Sequence, residues 1–107
     1  MTEKQVQNAI LREFGTRPDL RIWRANCGVA RIGRRTVRFG IPGQADLTGI
    51  APDGRRLEIE VKSERGRLSD DQERFRDLIR RFGGIHIVAR SVHDVYEQLT
   101  ACGIELR

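Results

Sequence analysis

No stretch of the chain is apolar for long enough to cross a membrane or to act as the hydrophobic segment of a secretory leader, which sets aside membrane-spanning and exported classes. Cysteine is scarce. Cys27 and Cys102 have neither zinc-ligand spacing nor the makings of a disulfide framework, so both read as reduced thiols of a cytosolic protein, Cys27 as a buried one beside Gly28. Aromatic residues are few, with one Trp, one Tyr and four Phe, and they form no evident platform for stacking bases. No glycine-rich phosphate loop follows a strand, which disfavours a doubly wound nucleotide-binding fold. Repeats, low-complexity tracts and long linkers are also missing. The 107 residues therefore read as one domain with a modest core, near the size at which pairing of two copies helps.

Charge is what the chain has in quantity. Twenty Lys and Arg against fifteen Asp and Glu leave +5 with neutral His, and most of the excess is Arg. That balance suits a nucleic-acid partner and equally suits a soluble surface, so composition leaves both open. The densest basic stretch is a candidate hairpin, 29–31 and 36–39 around Ile32-Gly-Arg-Arg35. There Arg31, Arg34, Arg35 and Arg38, with Arg24 nearby, would meet duplex phosphates. Such contacts position a backbone without reading its sequence, and no recognition helix or zinc finger offers base readout. A merely solvated arginine-rich hairpin is the alternative.

The run from Gly43 to Gln72 organises the rest. Leu57, Ile59 and Val61 point to one side of a strand, while Glu58, Glu60 and Lys62 point to the other. Residues 45–50 form a second short strand, and Ala51-Pro-Asp-Gly54 is the turn between them, Pro presetting φ and Gly taking a left-handed position. A hairpin centred near Asp53 sets Asp46 across from Glu60. Two carboxylates and an ammonium thus gather at one sheet edge, where like charges repel unless a hard divalent cation takes them up. Mg²⁺ needs only one or two carboxylates and keeps waters for chemistry, Mn²⁺ accepts the same ligand types, and the Val61 carbonyl is a further ligand candidate. The bland alternative is the solvated face of an edge strand.

The ordered set Gly43-x-x-Asp-Leu47, Glu60-x-Lys62 and Gly66-Arg-Leu-Ser69 leading into Asp70-x-Gln72 resembles the VRR-NUC (virus-type replication-repair nuclease) family of the PD-(D/E)XK superfamily. The likeness runs over nearly the whole chain, including Arg24 to Gly28 and Phe39 to Gly43. It implies an α/β fold, a restriction-endonuclease-like mixed β-sheet flanked by α-helices, as a single VRR-NUC-like domain over 1–107. By the same resemblance Asp46 and Glu60 are the metal-binding carboxylates, Lys62 the catalytic lysine, Gln72 the polar residue of the following helix and Glu3 the acidic residue of the first. Ala45 stands where the superfamily has proline; the substitution suits this family and leaves the Asp46 ligand in place.

The remaining elements follow in order. Thr2-Glu-Lys-Gln5 is a capping box opening a helix with Val6, Ala9, Ile10 and Phe14 on its inner stripe. Glu3 shares the side of Gln7 and Ile10, so it either reaches toward the metal or simply favours the helix dipole. After Arg17-Pro-Asp19 comes a strand over 20–25, with Trp23 expected in the core. Gly40 and Gly43 are small enough to admit a phosphate close to the backbone. The loop 63–67 is expected to pass over the centre, with Gly66 a hinge and Arg67 a clamp on a phosphate. Ser69-Asp-Asp-Gln72 is a second capping box, for a helix with Phe75, Leu78, Ile79 and Phe82 inward and Gly83-Gly84 as its stop. Gln72 would orient Lys62, contact phosphate, or only cap. A strand over 85–89 with a structural His86, a Ser91-capped helix with Val92, Val95, Tyr96 and Leu99 inward, and an edge strand over 103–107 complete the chain.

The expected chemistry is metal-assisted phosphodiester hydrolysis, and the resemblance implies 3′ hydroxyl and 5′ phosphate products. It also implies a cytoplasmic protein of a bacterium or a phage-infected host, acting on DNA, with branched or junction DNA as the narrower substrate and a Holliday-junction resolvase as the narrower activity. A homodimer would supply two centres, with Val95, Tyr96 and Leu99 either its interface or ordinary core. Two other classes stay open: a non-catalytic DNA-binding module, and a structural partner of a phage or repair complex.

Overall fold

The computed structural model describes residues 1–26 and 28–106; Cys27 and Arg107, and with Cys27 the expectation of a buried thiol, lie outside the described residues. The elements run α1 (Glu3–Phe14), β1 (Arg21–Arg24), β2 (Gly28–Ile32), β3 (Arg35–Phe39), β4 (Leu47–Ile50), β5 (Arg56–Val61), α2 (Asp70–Arg81), β6 (Ile85–Ala89) and α3 (Val92–Ala101). Both expected capping boxes are present, Thr2 with Gln5 and Ser69 with Gln72, and Ser91 caps α3. The turn Ala51 to Gly54 closes through the Gly54 N–H donating to the Ala51 carbonyl at 2.9 Å, with Gly54 at φ +89°.

The main sheet has the order β1-β4-β5-β6, antiparallel except for the parallel β5–β6 pair, which α2 connects. β2 and β3 pair only with each other, as a separate hairpin. Parity divides the faces of β5 as expected. Leu57, Ile59 and Val61 join Ile85, Ile87 and Ala89 of β6 in a core closed by Val6, Ile10 and Phe14 of α1 and Val95 and Leu99 of α3. Each of these side chains larger than Ala contributes about 1.5–3 kcal/mol on full burial. On the other face Phe75 and Ile79 of α2 pack with Ala45. The fold is thus a restriction-endonuclease-like α/β arrangement, a mixed sheet with helices against it.

The structure corrects three expectations and decides between two alternatives at a fourth place. Trp23 is not core but 47% exposed: β1 is an edge strand, its inward position is taken by Ile22, and Trp23 takes the opposite face beyond the reach of α2. Phe82 is 79% exposed because it caps α2 past the last turn, where Phe75 and Ile79 do the packing. Residues 104–106 form no strand; Ile104 alone is buried, its N–H bonded to the Leu99 carbonyl. Of the alternatives for α3, Val95 and Leu99 take ordinary core packing in their own chain, while Tyr96 is half-buried with its hydroxyl donating to Glu13.

Candidate active site

β4 and β5 end their pairing at Leu47 opposite Ile59, which sets Asp46 opposite Glu60 as the hairpin continues. The Val61 N–H donates to Asp46 Oδ2 at 2.8 Å, fixing one oxygen of that carboxylate. Glu60, 3% exposed, accepts at Oε1 from Gln72 Nε2 at 2.9 Å, and Lys62 Nζ stands 3.8 Å from the same oxygen. The other oxygen, Glu60 Oε2, is buried without a partner among the described residues. β5 is a central strand, which removes the solvated edge-strand reading of Glu58, Glu60 and Lys62.

Burial pushes the Glu60 carboxyl up to about 8, the repulsion of Asp46 adds to it, and Lys62 at 3.8 Å is not enough to offset either. Burial also raises Asp46, against the Val61 N–H that holds it down. Two carboxylates that resist ionising side by side, one with an orphaned buried oxygen, form a donor set that fits a hard divalent cation. Among the described residues no three His, Cys, Asp or Glu side chains converge into a ready-made cage. What the structure brings together is two carboxylates, a set that suits an ion keeping several waters.

Glu3 enters the same cleft from the first turn of α1. Its Oε1 lies 3.4 Å from the Ser63 N–H, and it lines an open cleft of about 650 Å³ with Thr2, Lys4, Gln7, Asp46 and Val61. Arg24 lines this cleft too, bonded to Asn8 Oδ1 at 2.6 Å, and so belongs with the carboxylates and not with the hairpin. Gln72 fills one of its expected roles, its Oε1 accepting from the Ser69 N–H as a cap, while its Nε2 donates to Glu60 and not, as expected, to a site at Lys62.

Gly43 has a role other than admitting phosphate. It sits at φ +80°, and a Cβ there would lie 2.1 Å from the Asp71 carbonyl oxygen, so its bareness lets the chain before Asp46 cross the first turn of α2. In the 63–67 loop Gly66 is anchored instead of loose: its carbonyl accepts from Arg90 at 2.7 Å, and a Cβ would lie 3.3 Å from the Lys62 stem. Arg67 is exposed. Arg90 was invisible in the sequence because it acts from the far end of β6; Gln7 was signalled by its spacing from Glu3.

Arg31, Arg34, Arg35 and Arg38 are all exposed on the separate hairpin, whose tip is Gly33-Arg34 with Gly33 at φ +64°. Cross-strand pairing puts Val29, Arg31, Thr36 and Arg38 on one face, and Ala30, Ile32, Arg35, Val37 and Phe39 on the other. No helix among the described residues is long and apolar enough to cross a membrane. The family model of the VRR-NUC domain matches residues 3–93. None of the curated proteins compared with the chain matches it.

Proposed function

The chain belongs to the VRR-NUC family of nuclease-type domains, and from that premise we propose that it is a metal-dependent, structure-selective DNA endonuclease that hydrolyses phosphodiester bonds. The observation that carries this reading is the junction of Asp46, which lines the cleft, with Glu60 and Lys62 behind it, Glu60 being held by Gln72 and keeping a buried oxygen with no partner among the described residues.

Asp46, Glu60 and the Val61 carbonyl would hold Mg²⁺, or Mn²⁺ in its place, with Glu3 facing them from α1. When bound, such an ion polarises a phosphate oxygen and makes a nucleophile of water near neutral pH. The chain's own residues do the rest. Gln72 and the Val61 N–H fix one oxygen of each carboxylate, so the remaining oxygens are preorganised. Lys62, its side chain 12% exposed, brings an ammonium to the same spot, where it positions the attacking water and stabilises the charge that develops on the phosphate. Arg24, Arg67 and the hairpin arginines bind flanking phosphates.

Branched DNA is the narrower substrate, and a homodimer resolving a four-way junction the narrower activity, since one centre per chain nicks one strand and paired cuts need two. With Val95 and Leu99 committed to the core, a dimer would have to form through another surface. The test is a panel of end-labelled duplex, flap, single-stranded and four-way-junction DNAs incubated with Mg²⁺, Mn²⁺ or chelator. Cleavage that needs the metal, prefers branched DNA and leaves 3′ hydroxyl ends is expected. Tight binding without any cleavage would favour a non-catalytic module instead.

A further inference from the structure

Trp23 is the chain's sole tryptophan and stands 47% exposed, where an aromatic residue gives up most of the benefit of burial. Its place is specific. Trp23 pairs with Thr48, which pairs with Glu58, so by the alternation of strands it lies on the sheet face that carries Asp46 and Glu60. Two residues on, the Ala25 N–H donates to the Asp46 carbonyl at 3.0 Å, and at about 3.3 Å per strand residue the Trp23 position is about 7 Å along β1 from that contact. Trp23 thus shares a sheet face with the carboxylates, on the edge strand next to the one that Asp46 leads into.

The charge around it states what would cover it. Six of the twenty Lys and Arg, among them Arg21 and Arg24 on either side of Trp23, and none of the fifteen Asp and Glu lie within residues 20–45. The remaining residues carry fourteen basic against fifteen acidic groups, so the whole positive excess belongs to β1, the hairpin and their flanks. An apolar protein surface has no use for this excess of guanidiniums. An occupant that is anionic and also offers a flat aromatic face is a nucleic acid with an unpaired base, because bases in continuous duplex keep their faces stacked on one another.

Building on the nuclease reading, we propose that Trp23 is a stacking platform for an unpaired base beside the scissile phosphate, so that the enzyme selects gaps, flaps and branch points over continuous duplex. Trp23 makes selectivity without any base-edge contact, since every base presents a π face.

Because Trp23 is the only tryptophan, its fluorescence reports the contact directly. With chelator present to prevent cleavage, titration with a gapped duplex should quench the emission, and moving an abasic site through the unpaired stretch should abolish the quench at one position. Trp23→Ala should lower the ratio of gapped to continuous-duplex affinity about tenfold, and Trp23→Phe should restore most of it. Gapped DNA that binds without quenching, or an Ala variant whose affinity ratio is unchanged, overturns the platform while leaving the nuclease reading standing. A wild-type protein that binds none of these DNAs overturns the nuclease reading, and the platform with it.

Discussion

Two hairpins follow one another in this chain and are held by different things. β4–β5 lies in the middle of the main sheet, flanked by β1 and β6, and every residue of β5 after Arg56 is buried. β2–β3 pairs with nothing but itself, and neither of its strands has a fully buried residue. A lone two-stranded hairpin is marginal in water, and this one leaves Val29, Ile32 and Phe39 exposed. The first hairpin is stable enough to force carboxylates together inside protein. The second gains little from the core, and exposed arginines, Arg31, Arg34, Arg35 and Arg38, are its main content.

The sharpest way to break the comparison is to strip function from the stable hairpin. Asp46→Ala or Glu60→Ala should lower cleavage by at least about a thousandfold, the scale on which removing a group that stabilises developing charge acts, and leave most DNA binding to the arginines. Lys62→Ala should keep metal binding, read by calorimetry, and lose turnover. Full activity in sequence-verified Glu60→Ala protein would remove Glu60 from the site.

Stability should separate the hairpins next. Leu57→Ala, in the centre of β5 with no exposed surface, should cost about 2–5 kcal/mol in denaturant unfolding, through lost transfer energy and the cavity left behind. Ile32→Ala on the arm should stay within about 0.5 kcal/mol, as surface changes do. Equal losses would mean that the arm is part of the cooperative core after all.

How far these regions were legible follows the same division. The parity of residues 57–62, the Pro-Asp-Gly turn and both capping boxes are local signals, and each is realised where the sequence put it. Trp23 was misjudged because hydrophobicity does not say which half of a sheet face a helix will cover, and α2 contacts β6, at the opposite edge from β1. Gln72 was placed on the inner side of its helix, yet its partner Glu60 depends on how α2 docks, which no spacing encodes. Glu58 was readable as a neighbour of Glu60 by parity alone, but its burial and its pairing with His86 were not. They lie opposite each other on β5 and β6, with Glu58 Oε2 and both His86 ring nitrogens unpartnered among the described residues.

That pair supplies a pH prediction of intermediate size. Burial, with the nearby guanidiniums of Arg80 and Arg76 adding to it against Asp77, pushes His86 down to about 4 from an ordinary 6.5. Between those values the unfolded chain takes up a proton that the native state refuses, so stability is full above pH 6.5 and falls as pH drops toward 4. The loss from this group is about 3 kcal/mol at its limit. Burial raises Glu58, which works in the opposite sense, so the group is isolated by comparison with His86→Leu. The variant should show a flatter acid limb in urea unfolding; a limb as steep as wild type would assign the slope elsewhere.

The smallest effect belongs to the arm, and it is best seen in a slope. Arg34 and Arg35 stand at or beside the tip, exposed and clear of the main sheet, so replacing both by Ala removes the proposed phosphate contacts without touching the core. Each phosphate contact on duplex contributes about 0.9 to the slope of log affinity against log salt, so the double variant should lower its magnitude by about 2. The accompanying loss of affinity should be similar for unrelated sequences, because contacts to phosphate carry no sequence information, and it should shrink as salt rises. Turnover at saturating DNA should be unchanged, since the arm touches neither Asp46 nor Glu60, and that separates it from the carboxylate variants. A salt slope equal to wild type would move the DNA surface away from the arm and leave its exposed Val29, Ile32 and Phe39 to be explained by a protein partner.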